Sequence, residues 1–288
     1  MSLRQVGLID KTGELDSELV QTVAAALNIQ VTRDLPQFWD VQATVIPLPK
    51  AKVPSGVWPV FLVKHLPPGE GGFHLDKHNQ PYAEVIATPD SEGWTIAASH
   101  EVIEMLVDPN GNRLQSSTAI QIVGGRIEDG SGQFEYLVEA CDPCEADDYS
   151  YTIQGIAVSD FLTPHFYDHS PTPGTRYSFN GKLTRPRQIL PGGYISWVNQ
   201  ETDEWQQLQY IDPSQPPQIV DLGPVTGKSL REWVHTKNRD SGLKTTRYLS
   251  EHASNRELYE RAREHRKHLD KIAEKRSALY DHTHTRHR

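Results

Sequence analysis

In the stretch Ser99-His100-Glu101-Val102-Ile103-Glu104-Met105-Leu106-Val107-Asp108, an imidazole and two carboxylates fall at i, i+4 and i+8. At about 100° per residue, His100, Glu104 and Asp108 drift only about 40° per step and share one helix face. A histidine and a carboxylate one turn apart grip a metal ion, and Glu101 stands where it can polarise water on that metal. The spacing is that of the H-E-x-x-H zinc helix with its second histidine exchanged for glutamate. An ordinary surface helix can carry the same residues, and chance gives H-E-x-x-E in roughly one sequence of this composition in twenty. The surrounding elements therefore have to carry the argument.

Those elements come in a definite order. Residues 6–9 begin a short strand that ends in a turn at Asp10-Lys11-Thr12-Gly13. Residues 14–35 have helical apolar spacing, with Leu15, Leu19, Val23, Ala26, Leu27 and Val31, and Pro36 stops them. Residues 40–47 alternate as a half-buried strand, 57–66 form a more continuous apolar run suited to a central strand, and 80–88 make another. Residues 91–107 then form the motif helix, closed by the breaker Asp108-Pro109-Asn110-Gly111. A polar, Gly-rich hairpin is expected over 112–135, and Phe134-Glu135-Tyr136-Leu137-Val138-Glu139-Ala140-Cys141 brings a strand back toward the helix. Further β signals lie at 151–158, 177–179, 193–198 and 204–211.

Here the chain resembles a group of bacterial and phage proteins of the zincin-like metallopeptidase type. The resemblance rests on Ser99-His100-Glu101-Val102-Ile103-Glu104, then Asp108-Pro109, then Glu139-Ala140-Cys141-Asp142-Pro143-Cys144, and covers roughly residues 5–170. It implies a metal-dependent peptidase, or a descendant of one. His100 and Glu104 would be metal ligands, and Glu101 a general base that passes a proton from water to the leaving amine. It also implies that the strand before the motif helix is an exposed edge, so that substrate backbone would pair near Tyr82, Ala83 and Val85.

The third ligand is open. Asp108 lies on the right face but about 12 Å from His100 by helical rise, so it would ligate only if the chain folded back at Pro109; otherwise it caps the turn. Glu139 is favoured, with Asp142 as an alternative or as a partner that orients His100. One imidazole with two carboxylates is a zinc set with oxygen in place of one nitrogen, and the added negative charge moves preference toward Mn²⁺ or Ca²⁺. Zinc is expected, with calcium in a non-catalytic site as the rival. His74 and His78 fit a polar loop before the edge strand better than a lid or substrate contact, and Cys141 and Cys144, with no second pair, fit buried reduced thiols better than a local disulfide or a thiol near a metal.

The 288 residues suit one good core, or one core plus a smaller unit, and no apolar run approaches the roughly 20 residues that span a bilayer. A mean hydropathy of -0.58 and the lack of a signal-peptide h-region lead to an expectation of cytoplasmic synthesis. Net charge is -9, yet residues 231–288 carry 15 Lys/Arg against 9 Asp/Glu, which leaves 14 basic and 29 acidic side chains in the rest. The expected class is α+β. A zincin-like domain with a mixed sheet and metal-site helix would span 1–170, followed by a β-rich extension over 171–212, a Pro-rich linker over 213–230 and a long charged helical arm over 231–288.

Within that arm, residues 250–280 have a thin apolar stripe at Leu258, Ala262, Leu269, Ile272 and Leu279, which suits a partner groove or a second subunit. The interleaved acidic residues make a poor phosphate track, so nucleic acid is not expected. The histidines of 281–288 fit a disordered end better than a metal site. The alternative to an enzyme is a structural or interaction protein, such as a phage or particle component on a zincin scaffold.

Overall fold

The computed structural model describes residues 3–50, 53–67, 70–226, 229–240, 260 and 263–275. The chain opens with β1 (Arg4–Asp10), α1 (Ser17–Ile29), β2 (Ala43–Pro47) and β3 (Val57–Val63), followed by β4 (Gly72–Lys77), β5 (Gln80–Ile86) and α2 (Trp94–Val107). The five strands form one mixed sheet in the order β2-β1-β3-β5-β4. β1, β2, β3 and β5 run parallel, and β4 is antiparallel to β5. A parallel pair needs a crossover, and α1 supplies it between β1 and β2. Pro59 is tolerated in β3 because the pairing with β5 starts one residue later, at Val60 opposite Ala83.

β4 stands where the sequence suggests a polar loop. His78 and Asn79 both take positive φ, 56° and 60°, which makes the tight turn that folds β4 back along β5. The edge beside α2 is therefore β4. β5 lies between β3 and β4, with both backbone sides paired. This corrects the expectation for Tyr82, Ala83 and Val85: they lie on an interior strand, Ala83 and Val85 are fully buried, and no backbone edge is left there for a substrate.

A second sheet follows α2. It contains β6 (Leu114–Val123) and β7 (Arg126–Leu137), the expected hairpin, and later β10 (Tyr194–Asn199), β11 (Glu204–Gln209) and β12 (Gln218–Gly223). The short pair β8 (Tyr151–Ile153) and β9 (Ile156–Val158) lies between them in sequence, and β9 packs on α2. The second sheet is antiparallel, in the order β12-β11-β10-β7-β6. Its β7–β10 pairing joins residues from either side of position 170, and one hydrophobic cluster runs from Val6 to Leu208. The boundary expected at 170 thus does not divide the core.

Trp197 on β10 sits in this shared core, fully buried and stacked on Phe134 at 5.2 Å between centroids. Trp197→Ala is expected to cost about 3–5 kcal/mol in denaturant unfolding, through lost burial and an unfilled cavity. A cost below about 1 kcal/mol would mean that the two sheets do not share a core.

The expected linker over 213–230 holds β12, which pairs with β11, because Ile219, Val220 and Leu222 carry enough β propensity despite the preceding prolines. α3 (Leu230–Asp240) then packs back on the body. Of the arm expected over 250–280, only residue 260 and the helical segment 263–275 lie within the described residues. There Arg263 Nε and Arg266 donate to the buried carboxylate of Glu92, at 2.6 and 2.8 Å. Among the described residues no helix is long and apolar enough to cross a membrane.

Candidate metal centre

Every residue of α2 is buried, its ionisable side chains included. A surface helix would leave one face wet, so the ordinary reading of this motif does not apply. Polar ties through Ser99 help to set the rotation of α2. α1 continues into a π-helical turn at Gln30–Asp34, which aims the fully buried Gln30 at α2. Ser99 Oγ donates to Gln30 Oε1 at 2.7 Å and accepts from the Ser159 N–H at 3.0 Å, while Gln30 Nε2 donates to the Ser159 carbonyl at 3.0 Å. With Ser99 pinned, His100 has one direction left.

That direction leads to a cluster of carboxylates. His100 Nε2 lies 3.4 Å from Glu104 Oε2 and 3.1 Å from Asp142 Oδ1. Donors held 2.0–2.2 Å from a tetrahedral zinc stand roughly 3.3–3.6 Å apart, so these spacings fit one small divalent cation. The other oxygen of Glu104 accepts from the Cys141 N–H at 3.1 Å, which turns Oε2 toward the cluster. A second donor group, His74, Glu101 and Glu104, shares that glutamate, and in each group the donor atoms lie within 4.8 Å of one another. His74 Nδ1 is 3.2 Å from Glu101 Oε2 and 3.5 Å from Glu104 Oε2.

His74 comes from β4, whose inward row is Gly72 and His74. Gly72 leaves room for the carboxylate there: a Cβ would lie 2.9 Å from Glu101 Oε1, which would have to shift. The strand thus presents its polar row to α2 and its apolar Phe73 and Leu75 outward.

Arg231, from the start of α3, completes the cluster. Its guanidinium pairs with Glu139 Oε1, approaches Glu104 Oε2 at 3.7 Å and lies 3.2 Å from His74 Nδ1. Within one buried volume, then, four carboxyl groups (Glu101, Glu104, Glu139, Asp142) face a single permanent cation. Burial pushes Glu101 up to about 8, against the pull of His100, and burial together with the neighbouring Asp142 lifts Glu139 well above the carboxylate range. Burial works against charge on Glu104 as well, but His100 and Arg231 outweigh it and hold that carboxyl at about 2. His74 is held well below the usual imidazole range by burial and by Arg231, so it is neutral. His100 stands well above that range, because Glu104 and Asp142 overcome its burial.

Protons thus offset part of the negative charge of the cluster, and a metal ion binding there would displace them. Among the described residues His74 Nε2 is buried without a hydrogen-bond partner, while Glu104 is bonded to His100 and the carboxyls of Glu139 and Asp142 are bonded to each other, which leaves a buried polar cluster that a cation or water would stabilise further. The residues present fit a divalent cation at His100, Glu104 and Asp142.

The sequence-based candidates are placed unevenly. His100, Glu101, Glu104 and Asp142 come together. Glu139 belongs to the same cluster, but Arg231 engages its Oε1, so Asp142 rather than Glu139 stands beside His100. Asp108 is not part of either donor group. It ends α2 and accepts from the Arg113 N–H at 2.8 Å, the capping role that its position beside Pro109 allowed.

Sequence reasoning misses His74 and Arg231 as members of the site. Cys141 and Cys144 are free and buried, and burial pushes both thiols up, so they serve as neutral packing around the turn that carries Asp142. No family model matches the chain, and neither curated proteins nor solved structures give a match.

Proposed function

We propose that the chain is a metal-dependent peptidase or a descendant of one, with a divalent cation, zinc first among candidates, held by His100, Glu104 and Asp142. The observation that carries this reading is a buried donor set, His100 and Glu104 from α2 with Asp142 from the following 3₁₀ turn, set beside an antiparallel sheet edge, β4. The order strand, helix, strand, strand, strand, metal helix and the mixed sheet support a zincin-like arrangement.

A bound cation would supply Lewis-acid polarisation of water and of a substrate carbonyl. The remaining work falls to this chain's own side chains. An extended peptide adds to β4 as a further strand. Glu101, set one residue past His100, takes a proton from the attacking water as the C–O bond forms. It then delivers that proton to the leaving amine as the C–N bond breaks. Neutral His74, 3.2 Å from Glu101, orients that carboxyl.

Glu101→Gln is expected to keep stoichiometric zinc while chelator-sensitive cleavage of unfolded casein falls by about 10²–10⁴-fold. Cleavage that survives the change removes Glu101 from its role. The second reading, a non-catalytic structural protein with a zinc or calcium ion, is favoured by Arg231, which already neutralises some of the cluster's charge. Zinc binding without any cleavage by wild-type protein would select it.

A further inference from the structure

Arg231 reaches the candidate centre from a sequence position 157 residues beyond His74, and it does more than balance charge. Besides pairing with Glu139, the guanidinium donates through Nε to the His74 carbonyl at 3.2 Å. That carbonyl belongs to the outer strand of the sheet, so a backbone acceptor on the β4 edge is already taken. The rest of α3 lies along the same strand: the His235 ring sits 5.0 Å from Phe73, and His235 Nε2 lies 3.2 Å from Glu70 Oε1, just before β4. Arg231 itself is only 7% exposed. Gly111, at a φ of 57°, makes room for it: a Cβ there would stand 2.2 Å from Arg231 Cβ.

We infer that α3 is a built-in cap, which fills the mouth of the cation site with Arg231 and covers the β4 edge, so that an extended peptide enters only when α3 lifts. The proposal rests on the peptidase reading for its substrate, but not for the cap itself. Two features make the cap removable. Its apolar anchor is a satellite cluster of Leu137, Trp205, Leu222, Trp233 and Val234, separate from the main core. Its other ties are polar and would be exchanged for similar ones with water or ligand, such as Gln207 Nε2 to Asn238 Oδ1 at 2.9 Å.

Arg231 and a bound metal also both draw on the Glu104 carboxylate. Each therefore weakens the other, and by linkage the effect is reciprocal.

The test uses the full chain and zinc alone as probe, with hydrogen exchange followed by mass spectrometry. In Trp233→Ala, and in the milder Trp233→Leu should the first not fold, amide exchange is expected to rise at least tenfold over both 230–240 and 72–77. The β6–β7 hairpin should stay unchanged. Removal of bound zinc by a chelator should speed up at least tenfold in the same variants, and saturating zinc should raise exchange over 230–240 in wild type.

Faster exchange in α3 with no change over 72–77 or in zinc removal overturns the cap. So does an α3 that remains as protected as the β6–β7 hairpin in wild type and in both variants. If wild-type protein takes up no zinc, the peptidase reading fails, while the joint exchange of α3 and β4 still decides the cap.

Discussion

Saturating zinc is expected to raise the thermal unfolding midpoint of chelator-stripped protein by about 8–16 °C at pH 8, and by far less at pH 5. The size follows from ligand linkage: zinc at a thousandfold excess over its dissociation constant adds about 4.1 kcal/mol, and each kcal/mol moves the midpoint of a chain this large by about 2–4 °C. The pH dependence follows from the protons that the empty cluster holds. Burial raises Glu101 to about 8 and lifts Glu139 well above its ordinary value.

A carboxyl whose folded pKa is raised binds more protons folded than unfolded. Its stabilising contribution is full below about 4.5 and is lost as pH climbs to about 8. His100, also raised, acts in the same direction as pH rises through and beyond 6.5. Glu104, held at about 2, loses its contribution only as pH falls from 4.5 toward that value, outside the window. The stripped protein therefore weakens from pH 5 to pH 8. Over the same range zinc binds better, because fewer protons on His100 and on the neighbouring Glu101 and Glu139 have to be displaced. Scanning calorimetry at the two pH values checks this. Equal shifts at both, or a shift below about 2 °C at pH 8, would mean that protons do not stand in for a metal here.

What can be seen in the sequence depends on whether the signal is local. His100, Glu101 and Glu104 are visible because one helix carries them, and helical spacing alone sets their relative directions. Apolar runs mark β1, β2, β3 and β5 for the same reason. Strand order is not a local property, so the edge role of β5 rests on the resemblance alone, and β5 is interior. β4 escapes because its polarity is reversed: Gly72 and His74 face the cluster while Phe73 and Leu75 face outward, which defeats the usual inward-apolar alternation. His74 is lost with it.

Arg231 carries no signal that spacing could reveal, since its partners are brought to it by the whole fold. The choice between Glu139 and Asp142 turns on the short 3₁₀ turn at Asp142–Cys144, where a shift of a few residues decides which carboxylate faces His100. The boundary at 170 fails because β7 and β10 meet across it, a pairing between residues about sixty apart.

Glu104→Ala is expected to be the most damaging single change in the cluster, costing at least about 3 kcal/mol without metal and abolishing the stabilisation by zinc. Among the carboxylates there it is the one that touches both histidines and the guanidinium. Oε1 accepts from the Cys141 N–H, and Oε2 lies 3.4 Å from His100, 3.5 Å from His74 and 3.7 Å from Arg231. Its loss leaves a guanidinium, an imidazolium and a backbone donor buried with less negative charge around them, and breaking a buried pair from one side costs about 3–5 kcal/mol. Asp108→Asn, one further turn along the same helix face, is the informative contrast. Asparagine keeps an oxygen for the Arg113 N–H, so the turn survives with a cost of about 1 kcal/mol or less and the response to zinc is unchanged. Denaturant unfolding of both variants, with and without zinc, reads the difference. If Asp108→Asn loses the zinc response and Glu104→Ala keeps it, the helix presents the opposite end of its acidic face to the metal, and the centre assigned to His100, Glu104 and Asp142 is wrong.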